Sequence, residues 1–228
     1  MHVVLSIGGS SINPEGKPDI AFLKSMARII AKSKNNFGIL TGGGSVARVY
    51  ANAARELGAG EYDADSIAIT STRQNAQLVV AALSGAGVDV YSRVLWDFED
   101  AKIPARETKA VVMGGTIPGI TTDTDAVLLA EAIGAKRLVN ISNVDAVYDS
   151  DPRKNPNAKR FSKMSYDELI KLAGESDKRM AGTHFVFDLL ACKLIARSKI
   201  ETHLVSGKNL PDIENAIEGK KHSGTVVF

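Results

Sequence analysis

Short apolar runs that each empty into a glycine-rich turn constrain this chain more than any other feature. His2–Ile7 leads into Gly8-Gly9-Ser10-Ser11, Phe37–Thr41 into Gly42-Gly43-Gly44-Ser45, and Lys109–Met113 into Gly114-Gly115-Thr116-Ile117-Pro118-Gly119. Runs this short, bounded by turn residues, read as buried strands. Between them apolar residues recur at helical spacing, first from about Asp19 through Phe22, Leu23, Met26, Ile29 and Ile30. Further helices are expected from Ser45 to about Leu57, over about Ser66–Leu83, and from Thr122 or Asp123 to near Gly134. Beyond these, strands are expected at Val88–Tyr91, Arg137–Ile141, Glu201–Val205 and Thr225–Phe228, and helices at about Ser165–Ala173, Phe187–Ser198 and Leu210–Ile217. Asn143–Lys163 is polar, carries prolines and is expected to be irregular. Strands alternating with helices in this way give an α/β fold, a three-layer α/β/α sandwich whose central sheet is mostly parallel and covered on both faces. Ligands in such folds bind at the carboxyl ends of the strands. All three glycine loops fall there.

Glycine lets backbone N–H groups approach anionic oxygens with no side chain in the way, and one such loop cradles one phosphate cluster. Three loops at three strand ends suit two phosphorylated molecules facing each other. None of the loops is a Walker A motif, since no Gly-Lys-Ser/Thr follows, and none is a complete Gly-x-Gly-x-x-Gly fingerprint. Composition narrows the partners. A formal charge of +2 spread over 228 residues argues against a dedicated nucleic-acid surface. No apolar run is long enough for a secretory leader or a membrane span, and the lone Cys192 has no intrachain partner, so a soluble protein of the reducing cytoplasm is expected. Cys192 itself reads as a core residue of an apolar helix. Length alone does not separate one large domain from two fused lobes.

Three longer strings appear in order: Thr41-Gly-Gly-Gly-Ser-Val-Ala-Arg48, Gly114-Gly-Thr-Ile-Pro-Gly-Ile-Thr-Thr-Asp123, and Ser142-Asn-Val-Asp-Ala-Val-Tyr-Asp-Ser-Asp-Pro152. On these strings the chain resembles the amino-acid-kinase superfamily, and within it the uridylate kinases of the archaeal type, from Val3 to its C-terminus. The resemblance implies a single domain over 1–228, with about 1–134 mainly the lobe for the acceptor UMP and about 135–228 mainly the lobe for ATP. It implies phosphoryl transfer from ATP to UMP in pyrimidine nucleotide (CTP) synthesis, Mg²⁺ held mainly by nucleotide phosphates, a homohexamer, and neither nucleic-acid nor membrane partners.

Site residues carried over by the resemblance divide between the two substrates. Gly8, Gly9 and Ser10 would meet the transferring phosphates of ATP. Gly44 would also face ATP while Gly43 faces UMP, and Arg48, one turn into the helix, would bring a guanidinium to phosphate oxygens; its bland alternative is a solvated helix face. Ser142, Asn143, Tyr148 and Asp151 match positions that hold adenine and ribose. Asp65 lies where the family holds the acceptor's ribose, although an Asp near a helix start also serves as a cap. Gly114, Gly115, Thr116, Ile117, Pro118, Gly119 and Ile120 would wrap UMP, with Thr121 and Thr122 donating hydroxyl hydrogen bonds to its phosphate. Asp123 matches the Asp that orients phosphate-binding side chains and, with Arg48, is the catalytic candidate; it is also placed to act as an N-cap. Asp125 reads as a surface residue of the first helical turn. Arg153, Lys154, Lys159, Arg160 and Lys163 read as a solvated surface, and His2, His184, His203 and His222 as structural or surface residues.

The chemistry asks for no general base. A nucleoside monophosphate with a second pKa of about 6, by analogy with phosphorylated side chains, is already a dianionic nucleophile at neutral pH. Alignment and charge screening remain to be supplied. Two departures from the family pattern stand out. Ser6 occupies the position where many members carry a phosphate-neutralising lysine, so Arg48, Mg²⁺ or, more weakly, Lys193 must compensate. Ala146 replaces a glycine, a change that matters only if the backbone there needs positive φ. Two rival readings follow: a kinase of this superfamily with another acceptor, or a non-catalytic nucleotide- or oxyanion-binding storage or sensor protein.

Overall fold

The computed structural model describes residues 1–150, 152, 155–177 and 187–228. The elements, in chain order, are β1 (His2–Ile7), α1 (Gly9–Ile12), α2 (Ile20–Lys32), β2 (Asn36–Thr41), α3 (Gly44–Glu56), α4 (Glu61–Gly85), α5 (Phe98–Ala101), α6 (Pro104–Glu107), β3 (Ala110–Met113), α7 (Thr122–Ile133), β4 (Arg137–Ser142), β5 (Val147–Tyr148), β6 (Arg160–Phe161), β7 (Lys163–Met164), α8 (Tyr166–Asp177), α9 (Leu189–Ser198), β8 (Glu201–Ser206), α10 (Leu210–Ile217) and β9 (Thr225–Val227). Seven strands form one sheet in the order β3-β2-β1-β4-β8-β9-β7. From β3 to β8 the pairing is parallel throughout; β9 then runs antiparallel to β8, and β7 is parallel to β9.

Strand alternation sorts the apolar side chains into two cores. Val3, Leu5, Ile7, Phe37 and Ile39 face α2, α4 and α10, whereas Val4, Leu40, Val111 and Leu138 face α7 and α9. Leu5, Ile7, Ile39 and Leu40 are almost fully buried, each contributing roughly 1.5–3 kcal/mol by removal from water. The result is the three-layer α/β/α sandwich expected from the alternation. α3 stands outside these layers, packed on α4 through Ala51, Ala54 and Ala64.

Three local expectations change. Val88–Tyr91 is not a strand: Val90 and Leu95 make isolated bridges to β3, because only Tyr91 N–H and Leu95 N–H reach carbonyls there and the chain bends between them. The polar stretch after β4 is not wholly irregular, since β5 and β6 pair as a small antiparallel ribbon. α4 begins at Glu61, ahead of the apolar periodicity, with Glu61 and Asp63 placed against the positive end of the helix. The first glycine loop closes into the single turn of α1. Cys192 is buried in α9, as expected.

Candidate functional site

A cavity of roughly 520 Å³ opens at the carboxyl ends of β1, β2, β3 and β4. Gly8, Gly9 and Ser10 line it from the first loop, Gly43, Gly44 and Arg48 from the second, and Gly115, Ile117, Ile120, Thr121, Thr122 and Asp123 from the third; Asp65 and Ser142 complete the expected set on its wall. Gly114, Thr116, Pro118 and Gly119 belong to the same third loop but do not line the cavity. Asn143 and Tyr148 are not on it: Asn143 is exposed beyond β4, and Tyr148 lies on the β5–β6 ribbon with its hydroxyl donating to Asp145 at 3.2 Å. Asp151, Arg153, Lys154 and His184 lie outside the described residues. Lys159, Arg160 and Lys163 are exposed, in keeping with a solvated surface.

Two glycines make the meeting of the first and second loops possible. A Cβ on Gly9 would stand 2.0 Å from Gly44 N, and Gly44 itself adopts φ 68° with Asn13 Oδ1 where its own Cβ would project. A buried amide pair supports this crossing from below. Asn13 Nδ2 donates to Gly43 O at 3.4 Å and to Asn75 Oδ1 at 3.1 Å, and Asn75 Nδ2 donates to Gly42 O at 2.7 Å. Sequence reasoning missed both residues. Asn75 left only the trace of an amide among the buried positions of a helix, beside Ala76, and Asn13, in the polar turn after Ile12, left none.

Asp123 occupies the centre of the wall. The helix cap is Thr121, whose hydroxyl receives the N–H groups of Asp123 and Thr124 at 3.2 and 3.3 Å, so Asp123 is a first-turn residue and not the N-cap. Its Oδ1 receives Ser6 Oγ at 3.3 Å and Asn140 Nδ2 at 2.9 Å. Burial and the nearby Asp188 carboxylate push the Asp123 carboxyl up to about 7, against the opposing pull of those two hydrogen bonds. Asp188 caps α9 through Ala191 N–H and also receives the hydroxyls of Thr121 and Thr124. Thr121 therefore spends its hydroxyl within the protein and presents its backbone to the cavity, leaving Thr122 with the free hydroxyl. Ser6, at the position where many family members carry the lysine, gives Asp123 a hydrogen bond and brings no charge to the site.

Asp125 is buried rather than on the surface. It receives both the N–H and the hydroxyl of Thr116, at 3.2 and 2.6 Å, and burial pushes its carboxyl up to about 6 while those bonds and Arg73 pull it down. A first-turn position suggested exposure, but this turn packs its second acidic residue against the third loop. Asp65 lies a full turn inside α4, which excludes the capping role, and its Oδ2 accepts Gly119 N–H at 2.9 Å. Thr72 and Arg73 were not anticipated either; both reach the third loop from α4.

Among the described residues, Arg48 is the single basic side chain on the wall, against the carboxyls of Asp65, Asp123 and Asp125. Lys193 is exposed on α9 and does not line the cavity. Neither do His2, His203 or His222. No group of three or more His, Cys, Asp or Glu stands ready to hold a metal among the described residues. Ala146 does not have positive φ, so the backbone accepts alanine without strain. What the arrangement can do is hold anions on the N-termini of α3 and α7 and on glycine backbone, with a carboxyl beside them.

A family model described as the amino acid kinase family matches residues 1–206. The uridylate kinase of Thermococcus kodakarensis is 44% identical over 229 residues, covering 100% of this chain and 99% of its own. That of Archaeoglobus fulgidus is 40% identical over 227 residues, with both chains fully covered. Its crystal structure superposes with a TM-score of 0.87 over 100% of each chain. The UMP kinase of Bacillus anthracis, 20% identical, shares the fold with a TM-score of 0.83 over 99% of this chain and 95% of its own.

Proposed function

Because this chain belongs to the amino acid kinase family, we propose that it is a kinase that transfers the γ-phosphoryl group of ATP to UMP, giving ADP and UDP. The observation that carries this reading is the convergence of three glycine-backed anion cradles and Asp123 on one cavity. An oxygen of the UMP phosphate forms the new bond to the γ-phosphorus as the bond to the β,γ-bridging oxygen breaks, and ADP leaves with that electron pair. The acceptor dianion needs no base, so the protein's work is alignment and electrostatics.

In this reading Gly8, Gly9, Ser10 and Gly44 hold the donor phosphates, Gly43 and the third loop hold UMP, and Asp65 faces its ribose. Arg48, the cation on the wall, screens the phosphoryl group in flight. Both hydrogen bonds to Asp123 go to Oδ1, so Oδ2 has no protein donor among the described residues and can face a hydrated cation. Three carboxyls against one guanidinium fit a site completed by Mg²⁺, which Asp123 would help to hold. When bound, that ion neutralises charge on the donor phosphates.

Residues from about 1 to 134 supply most of the acceptor side and those from about 135 to 228 part of the donor side, with Ser142, Asn143 and Tyr148 as adenosine contacts. Assembly as a homohexamer finds support in the apolar side chains exposed on α3, α4 and their connection: Val49, Tyr50, Leu57 and Tyr62. Light scattering in solution tests it. No helix among the described residues is long and apolar enough to cross a membrane; that the enzyme works in the cytoplasm is part of the proposal and follows from its nucleotide substrates. The function is tested by ADP release from Mg-ATP with UMP, CMP, carbamate, aspartate and isopentenyl phosphate as acceptors. UMP is expected to be the strongly preferred one. Turnover with CMP but not UMP would reject the acceptor, and nucleotide binding without turnover would favour a storage or sensor role.

A further inference from the structure

We propose that Arg73 is a positioning residue for the acceptor, clamping the start of the third loop together with Thr72 and Asp125 in the shape the acceptor needs. The inference rests on the reading of that loop as the UMP side of the cavity. Arg73 Nε donates to Gly115 O at 3.2 Å and its Nη2 donates to Thr116 O at 3.2 Å. From the other side, Thr72 Oγ1 accepts Gly115 N–H at 2.6 Å and Asp125 Oδ2 accepts Thr116 N–H at 3.2 Å. All four backbone polar groups of this dipeptide are thus taken by side chains. Backbone groups in folded proteins are usually satisfied by helix, sheet or water. Here three side chains, two from α4 and one from α7, do that work before any ligand arrives.

Two consequences follow. Gly115 and Thr116 have no N–H left to offer an anion, so they shape the pocket while donors further along the loop and the Thr122 hydroxyl meet the phosphate. A loop already fixed also avoids the entropy loss of ordering when the acceptor binds. Arg73 is suited to the task because its planar fork spans two successive carbonyls, which an ammonium does not. The guanidinium is itself held: its Cζ lies 4.2 Å from the ring centroid of Trp96, an aromatic otherwise 64% exposed. Trp96 is tied in place through Leu95, which bridges to Met113 at the end of β3. The ring shields one face of the guanidinium, and with it the two hydrogen bonds to the loop, from water.

Trp96 is the only tryptophan of the chain, which makes the clamp directly observable by fluorescence. In Arg73→Ala, Trp96 emission should shift, and the UMP KM should rise by roughly tenfold or more while the ATP KM changes by less than about twofold. Arg73→Lys, which keeps the charge but not the fork, should recover only part of the UMP KM. Unchanged Trp96 emission in Arg73→Ala would overturn the clamp itself. Equal rises in both KM values, together with a lowered melting temperature, would reduce Arg73 to a structural residue and overturn the positioning role. A wild-type enzyme that binds but does not phosphorylate UMP would instead overturn the acceptor reading, with the emission shift still reporting on the contact.

Discussion

In the proposed reading, the acceptor loop is gripped on both faces by side chains that spend their hydrogen bonds on its backbone, whereas the first two loops continue the hydrogen bonding of their strands and are braced by side chains only beneath their crossing, through Asn13 and Asn75. Gly115, Thr116 and Gly119 are each tied to a side chain from α4 or α7. Across the cavity, Gly8 N–H goes to Ile141 O at 2.8 Å and Gly42 N–H to Ile7 O at 2.9 Å, so the first two loops are extensions of their own strands. Tyr148, further out, rests on a ribbon of two-residue strands. The contrast teaches that, on the proposed reading, the acceptor would meet a pocket shaped in advance, while the donor would meet a strand-end cradle and a slighter outer contact.

Asp123, at the seam between the two sides, gives the largest expected break. Asp123→Asn should lower kcat by at least about 100-fold while ATP KM stays within about threefold, because the carboxylate acts on charge that develops during transfer. Unchanged turnover in steady-state kinetics would remove Asp123 from the mechanism and leave the two sides unconnected. Gly44→Ala comes next. Positive φ and the overlap with Asn13 Oδ1 should cost roughly 2–4 kcal/mol in chemical denaturation and raise both KM values, since the proposed reading gives this loop to both substrates. A rise in one KM alone would assign the loop to one side.

The donor side is sharpened by smaller effects. Tyr148→Ala should raise the ATP KM roughly threefold to tenfold with little change for UMP, while Tyr148→Phe should be near wild type because the hydroxyl touches only Asp145. Equal effects of the two variants would shift the contact from the ring to the hydroxyl. The smallest effect is on stability without ligand. The Asp123 carboxyl sits near 3.8 in the unfolded chain and at about 7 in the folded one, so the native state binds the extra proton between these values. Native stability should therefore fall as pH rises from about 4 to about 7 and level off above. Because Asp123 keeps some contact with the cavity, the loss is on the order of 1–3 kcal/mol. Asp123→Asn should remove this share of the fall and leave the part that Asp125 contributes between about 4 and about 6, so its melting temperature should gain on wild type at pH 8 but not at pH 4.

The legible parts of the site were those whose chemistry is local. A glycine after an apolar run announces a turn at a strand end, and Arg48 one turn later announces a cation on a helix opening towards it. Asp125 was misplaced because helical position says which turn a residue occupies and not what packs on that turn. Thr72 and Arg73 were invisible for a related reason. They precede the loop they hold by about forty residues, and within a long helix a threonine and an arginine look like ordinary members of its polar face.

The order of strands and helices, the parallel sheet and the three anion cradles at its carboxyl edge were determined by the sequence itself, because apolar period and glycine placement act over a few residues. Tertiary structure alone decided the rest: that Ser6 and Asn140 meet Asp123, that Asn13 and Asn75 support the crossing of two loops, and that Arg73 and Asp125 grip the third. Each of these joins distant segments at hydrogen-bond range. Burial then sets their strength, since a carboxyl withdrawn from water changes its proton affinity according to neighbours that only the folded chain brings near.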